Sequence, residues 1–192
     1  MTKTVRYAAV AAKLLLLALL LAALIWPDLS GIKGKASTAR LIVYPIGAMV
    51  LPLWWWIRRK GTFPWAADLL MTLPWSIDLL GNRLDLFDTV GWWDDAMHFV
   101  LWTFLTWGVL LAFAPRDLSP ALTTFVALGF GTTAAVVWEV GEYVAFVRSS
   151  PELQTAYTDT LGDLVLGTLG ALLAGVIVGR FRARHSPSTS KL

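Results

Sequence analysis

"YAAVAAKLLLLALLLAALIW", residues 7–26, decides what kind of protein this is. Apart from Lys13 the stretch carries no charge. Wound as a helix at about 1.5 Å per residue it covers about 30 Å, the hydrocarbon thickness of a bilayer. Lys13 lies near enough to the start to send its ammonium back to water along its own stem. The run is long for a signal-peptide core, and no small-x-small cleavage site directly follows it. A retained membrane anchor is expected.

Working outward, the pattern repeats. Of 192 residues, 57% are apolar and 15% charged, and the mean hydropathy is +0.64. The expectation is an all-α, polytopic membrane protein built as a bundle of about six transmembrane helices. After Tyr7–Trp26 they fall at about Leu41–Ile57, Trp65–Leu80, Asp95–Ala114, Pro120–Val147 and Thr160–Phe181. The third is the most polar, with Asp68, Pro74 and Asp78. Residues 1–184 form a single domain in this reading, and 185–192 a flexible tail within "RARHSPSTSKL". The net charge of +3 is small and its basic residues flank apolar segments, so no nucleic-acid surface is expected. Without cysteine there is no disulfide framework, zinc knuckle or thiol nucleophile.

Basic residues also set the orientation. With the N-terminus cytoplasmic, the inner side collects Lys3, Arg6, Arg58, Arg59, Lys60, Arg116, Arg180, Arg182 and Arg184. The outer side keeps Lys33, Lys35, Arg40, Arg83 and Arg148. Both termini are therefore expected in the cytoplasm.

This topology brings distant acids to one depth near the outer leaflet. Asp78 ends an outward helix, Asp94, Asp95 and His98 begin an inward one, Glu139 and Glu142 end the fifth, and Asp159 and Asp163 open the sixth. Asp94 and His98 are i,i+4, Asp95 and His98 i,i+3, Glu139 and Glu142 i,i+3, and Asp159 and Asp163 i,i+4, so each pair shares a helix face. Some of these have plainer readings. Asp94 or Asp95 suits a helix cap, and "TLGD" (Thr160–Asp163) matches a capping box. Glu139 and Glu142 resist such an account, because they sit at the C-terminal end of an apolar helix, where the dipole disfavours anions.

Crowded carboxylates in a poorly solvated pocket cannot all stay charged: either some are protonated or a cation sits among them. Oxygen ligands with one imidazole suit a divalent ion such as Zn, Mn or Fe. The metal ligands expected are Asp95, His98, Glu139, Glu142, Asp159 and Asp163. Glu139, Glu142 and Asp163 are the catalytic candidates, and Asp78, Asn82, Asp88 and Asp94 support them. Gly167, Ala171, Gly175 and Gly179 form a small-residue stripe, read as helix packing.

"DLLGNRLDLFD", "WDDAMHF", "WEVGEY" and "DTLGDLVLGTLGALLAG" run in this order between about Asp68 and Gly179. The ordered set resembles the YjdF-like bacterial membrane proteins and, more distantly, the VanZ-like family. VanZ-like proteins usually carry Gln where Glu142 stands, which favours the YjdF-like branch. The Asn expected four residues after Asp163 is Gly167 here. The resemblance implies a polytopic plasma-membrane protein but supplies no reaction. VanZ-like members are associated with low-level resistance to teicoplanin, an antibiotic acting at the cell envelope, so a lipid or envelope role follows by analogy.

Three functions fit these residues. The favoured one is a metal-dependent enzyme acting on a lipid or other amphiphile at the outer leaflet, with membrane lipid as its partner. The others are an ion-coupled transporter and a non-catalytic module whose acids hold the helices together.

Overall fold

A computed structural model describes residues 3–29, 31–32, 35–58 and 61–185. The tail expected at 185–192 lies, beyond His185, outside the described residues. The helices are α1 (Lys3–Ile25), α2 (Ser37–Arg58), α3 (Trp65–Arg83), the short α4 (Leu86–Thr89), α5 (Trp93–Phe113), α6 (Pro120–Ala145) and α7 (Ala156–His185). This is an all-helical membrane protein. Short 3₁₀ turns follow α1 and α6.

Five of the helices are long and apolar enough to cross a membrane: α1, α2, α5, α6 and α7. The sixth long helix, α3, is not, and its place in the bundle explains why. It packs against α1, α2 and α5, and buries Asp68, Thr72, Ser76, Asp78 and Asn82. A helix shielded from lipid by its neighbours can carry polar groups wherever those neighbours supply partners. The expected count of about six therefore fits in length, while among the described residues five helices are both long and apolar enough to span.

On the other side of the bundle, α7 wedges between α5 and α6. Its small-residue stripe makes this possible. Ala171 meets Gly131 of α6, and a Cβ added at Gly175 would lie 2.7 Å from Ala127 Cβ and 2.9 Å from Thr124 Cα. Gly170, beside the stripe, faces α5: a Cβ there would stand 2.4 Å from the Phe99 carbonyl oxygen. With little hydrophobic force between helices in lipid, such close backbone approach is what holds them.

The helix ends are satisfied unevenly. Ser119 caps α6 by accepting from Leu122 N–H at 3.2 Å, with Pro120 in the first turn. Arg182 of α7 closes the other end of α5, donating to the carbonyls of Leu110 and Pro115 at 2.8 Å each.

Three expectations about individual residues are corrected. Trp92, not an aspartate, takes the cap position of α5, and Asp94 and Asp95 lie within its first turn. Because α7 already starts at Ala156, "TLGD" is helix interior and Asp163 is no cap. Lys13 does not reach for water. Its ammonium donates to Ala48 O at 2.9 Å and Thr72 Oγ1 at 2.8 Å and pairs with Asp68 at 3.0 Å. A buried carboxylate within reach is the better partner for a cation in lipid.

Candidate functional site

One end of the bundle is formed where α3 and α6 finish and α2, α5 and α7 begin. The chain alternates direction through the membrane, so ionisable residues near these termini meet at one level. They line a cavity of about 290 Å³.

His98, one turn into α5, is at its centre. Its Nε2 faces Asp94 Oδ1 at 3.6 Å and Asp163 Oδ1 at 3.6 Å. Its Nδ1 faces Glu139 Oε1 at 3.8 Å, beyond hydrogen-bond range. Helix geometry supplies each position. Asp94 is four residues before His98 on the same face, Glu139 comes from the last turns of α6, and Asp163 from the second turn of α7. Glu139 and Asp163 are buried, and neither Glu139 Oε1 nor His98 Nδ1 has a hydrogen-bond partner among the described residues. Orphaned buried polar atoms are costly in hydrocarbon.

One ligand atom each from Asp94, His98 and Asp163 fall within 4.8 Å of one another. Donors about 2.1 Å from a tetrahedral ion lie about 3.4 Å apart, so the two 3.6 Å separations suit a first-row divalent ion. Glu139 on the far ring nitrogen then occupies the place of the carboxylate that orients a metal-bound histidine.

Beside this group lies a second, better-satisfied set. Asp78 of α3 accepts from Tyr44 Oη at 2.5 Å and from Arg40 Nε at 3.2 Å. Arg40 Nη2 reaches Glu142 Oε1 at 3.4 Å, and Nη1 donates to the Lys35 carbonyl. Asn82 folds back onto the Asp78 carbonyl at 2.9 Å. At the rim, Lys35 pairs with Asp88. Both lie outside the membrane helices, and the hydrogen bond from Lys35 holds the Asp88 carboxyl below the usual carboxylate range.

The structure thus brings together His98, Glu139, Asp163, Glu142, Asp78, Asn82 and Asp94 around one cavity. Asp88 and Asp159 lie on its rim and are exposed. Asp95, expected as a ligand, is exposed and lines no part of the cavity, because it is one residue, about 100°, around α5 from Asp94. Asp94, expected only in support, holds the place beside His98. Arg40 and Tyr44 were not among the expected residues. A signal existed: an arginine and a tyrosine at i,i+4 share a face of α2, and an arginine at the edge of a membrane segment needs an anion. Counting Arg40 as a topology marker obscured it.

The chain matches the family described as "Predicted membrane protein (DUF2238)" over residues 12–184. It belongs to that family. The DUF2238 match agrees with the YjdF-like resemblance and takes in each of the helices that build the cavity. Comparison with curated proteins and with solved structures found no match.

Proposed function

We propose that this DUF2238 protein is a metal-dependent membrane enzyme acting on an amphiphile, with Asp94, His98 and Asp163 holding one divalent ion. The observation that carries the reading is the convergence of both carboxylates on His98 Nε2, with Glu139 on Nδ1 and buried atoms there without partners. Two carboxylates and an imidazole suit Zn, Mn or Fe, and leave coordination positions for a water molecule or a polar head group. A bound ion would supply Lewis acidity. The chain's own residues do the rest. Glu139, 3.8 Å from His98 Nδ1, is the carboxylate that would orient the ring on closing to hydrogen-bond distance. Glu142, held by Arg40 and facing the cavity, is the group placed to carry a proton. Arg40 in turn offsets Asp78 and Glu142, so the acids of this half need no ion.

The distant VanZ-like likeness favours the same class of substrate, a lipid or envelope component. The carrier alternative has less support. Away from the cavity, Asp68 is closed into its own ion pair with Lys13, and among the described residues no chain of acids leads from it to Asp78, about 15 Å further along α3.

Protein purified without chelator should carry about one divalent ion per chain, and His98→Ala or Asp163→Asn should lose it. Folded wild type that is metal-free and takes up no Zn, Mn or Fe on equilibration removes the proposal. We place the cavity at the outer face of a bacterial plasma membrane, with both termini inside. In the cysteine-free background, Arg148→Cys should then react with an impermeant thiol reagent in intact cells, while Asp117→Cys should not. The opposite pattern puts the cavity on the cytoplasmic side.

A further inference from the structure

A second cavity, of about 680 Å³, adjoins the polar one. It lies between α2 and α6, each of which packs on other helices and not closely on the other. Val43 of α2 and Val137 of α6 line it and are exposed. Since both helices span the membrane, the gap between them opens to hydrocarbon. Its α6 wall is the face Gly129, Thr133, Val137 and Gly141, at i+4 spacing. A Cβ added at Gly129 or Gly141 would meet nothing within 4 Å. These glycines therefore differ from Gly170 and Gly175, which let helices touch: they leave space.

The two cavities share a wall. Arg40, Tyr44, Trp75, Trp102, Trp138 and Glu142 line both, and Leu105 does also. At its upper end the cleft reaches Glu142, at the edge of the polar group. From Gly141 to Gly129 it runs about 18 Å along α6. That is close to half the ~30 Å hydrocarbon thickness, the depth of one leaflet. An apolar slot, open sideways to lipid, one leaflet deep and joined at its polar end to a cluster of carboxylates, has the shape of a lipid with its head group in place.

We infer that the α2–α6 cleft takes a single hydrocarbon chain of a bilayer lipid, whose polar head reaches the His98 cavity from the membrane side. The inference rests on the proposed reading of that cavity as a site for an amphiphile. It names the route: substrate enters laterally between α2 and α6, and need not leave the bilayer. Trp102 and Leu105 of α5 form the back of the slot, where they are covered from lipid unless a chain enters.

The full-length protein in phosphatidylcholine vesicles, doped with phosphatidylcholine bearing a photoactivatable group in its acyl chain, tests this. Peptide mapping after illumination should find label on Trp102 and Leu105 as well as on the outward Phe125. Gly129→Leu combined with Gly141→Leu fills the slot without crowding the bundle. It should lower label on Trp102 and Leu105 at least tenfold, leaving Phe125 unchanged. Equal labelling of the back wall in variant and wild type, or none in wild type, overturns the inference. So does a second copy of the chain in the slot, which would give a dimer through a disulfide in Val137→Cys. Metal content of the same samples keeps the two readings apart. A metal-free protein that labels at Trp102 removes the metal proposal and keeps the lipid slot. A metal-loaded protein without that label does the reverse.

Discussion

Two groups of ionisable residues are buried in this bundle, and they are built on opposite terms. In the first, Lys13 of α1 meets Asp68 and Thr72 of α3 and the Ala48 carbonyl of α2. One cation faces one anion, and the lysine's three protons have three acceptors. In the second, around His98, acids from α3, α5, α6 and α7 outnumber the cations, and atoms of His98 and Glu139 remain without partners. The first fastens α1, α2 and α3 together and balances its charge, although the Asp68 oxygens have no hydrogen-bond partner among the described residues beyond that ion pair. The second leaves binding capacity unused. A charge inside a membrane marks a functional site by default, but the stronger sign is whether a counter-charge balances it, as Lys13 does for Asp68.

The contrast can be broken most directly at the closed pair. Asp68→Ala leaves the Lys13 ammonium buried without its counter-ion and should cost about 3–5 kcal/mol in detergent-solubilised stability. Lys13→Leu together with Asp68→Leu should recover most of that loss. A harmless single substitution would mean that Lys13 reaches water after all.

Packing comes next. Gly175→Leu pushes a side chain against Ala127 and Thr124, with an expected loss of about 1–3 kcal/mol. It should also loosen metal binding, since α7 carries Asp163. Gly129→Leu, on open ground, should be near neutral in the same assay.

In the open group the expectation is reversed. Asp163→Asn and Glu139→Gln keep side-chain shape while removing a charge from a crowd of like charges. Each should change metal-free stability by less than about 1 kcal/mol, and can raise it, while metal occupancy falls. Destabilisation comparable to that of Asp68→Ala would make the second group structural too.

The smallest effect belongs to the rim. The Asp88 side chain is 54% exposed, so its pair with Lys35 is worth at most about 1 kcal/mol. Its carboxyl is held low in the folded protein, so the contribution is present above an ordinary aspartate value of about 4 and fades as pH falls through the lower folded one. Asp88→Asn should lower the neutral plateau of a stability–pH curve by at most about 1 kcal/mol and meet wild type at low pH, so that its acid limb is slightly flatter.

Much of this could be read without coordinates. The ends of α1, α2, α5 and α6 fall within a few residues of the expected ones, because apolar runs of bilayer length have little choice of structure. Alternation of direction then forces Asp78, His98, Glu139 and Asp163 to one level. "TLGD" looks like a helix start, yet α7, like α1 and α2, begins four residues before the expected position, at Ala156 after a 3₁₀ turn. Local motif matching cannot see that preceding residues can also adopt helix.

Chain length, hydropathy and helical rise were enough for the class of protein, the number of long helices and the end of the bundle at which the acids gather. Tertiary structure alone decided which acids face one another. A helix face is fixed by periodicity only relative to its own axis. The rotation of each helix is set by what it packs against, such as Gly170 on Phe99 or Gly131 on Ala171. That rotation put Asp94 beside His98 and left Asp95 outside, closed Lys13 onto Asp68, and brought Arg40 and Tyr44 of α2 to Asp78. It also kept α2 and α6 apart, and no single-helix pattern records a space between two helices.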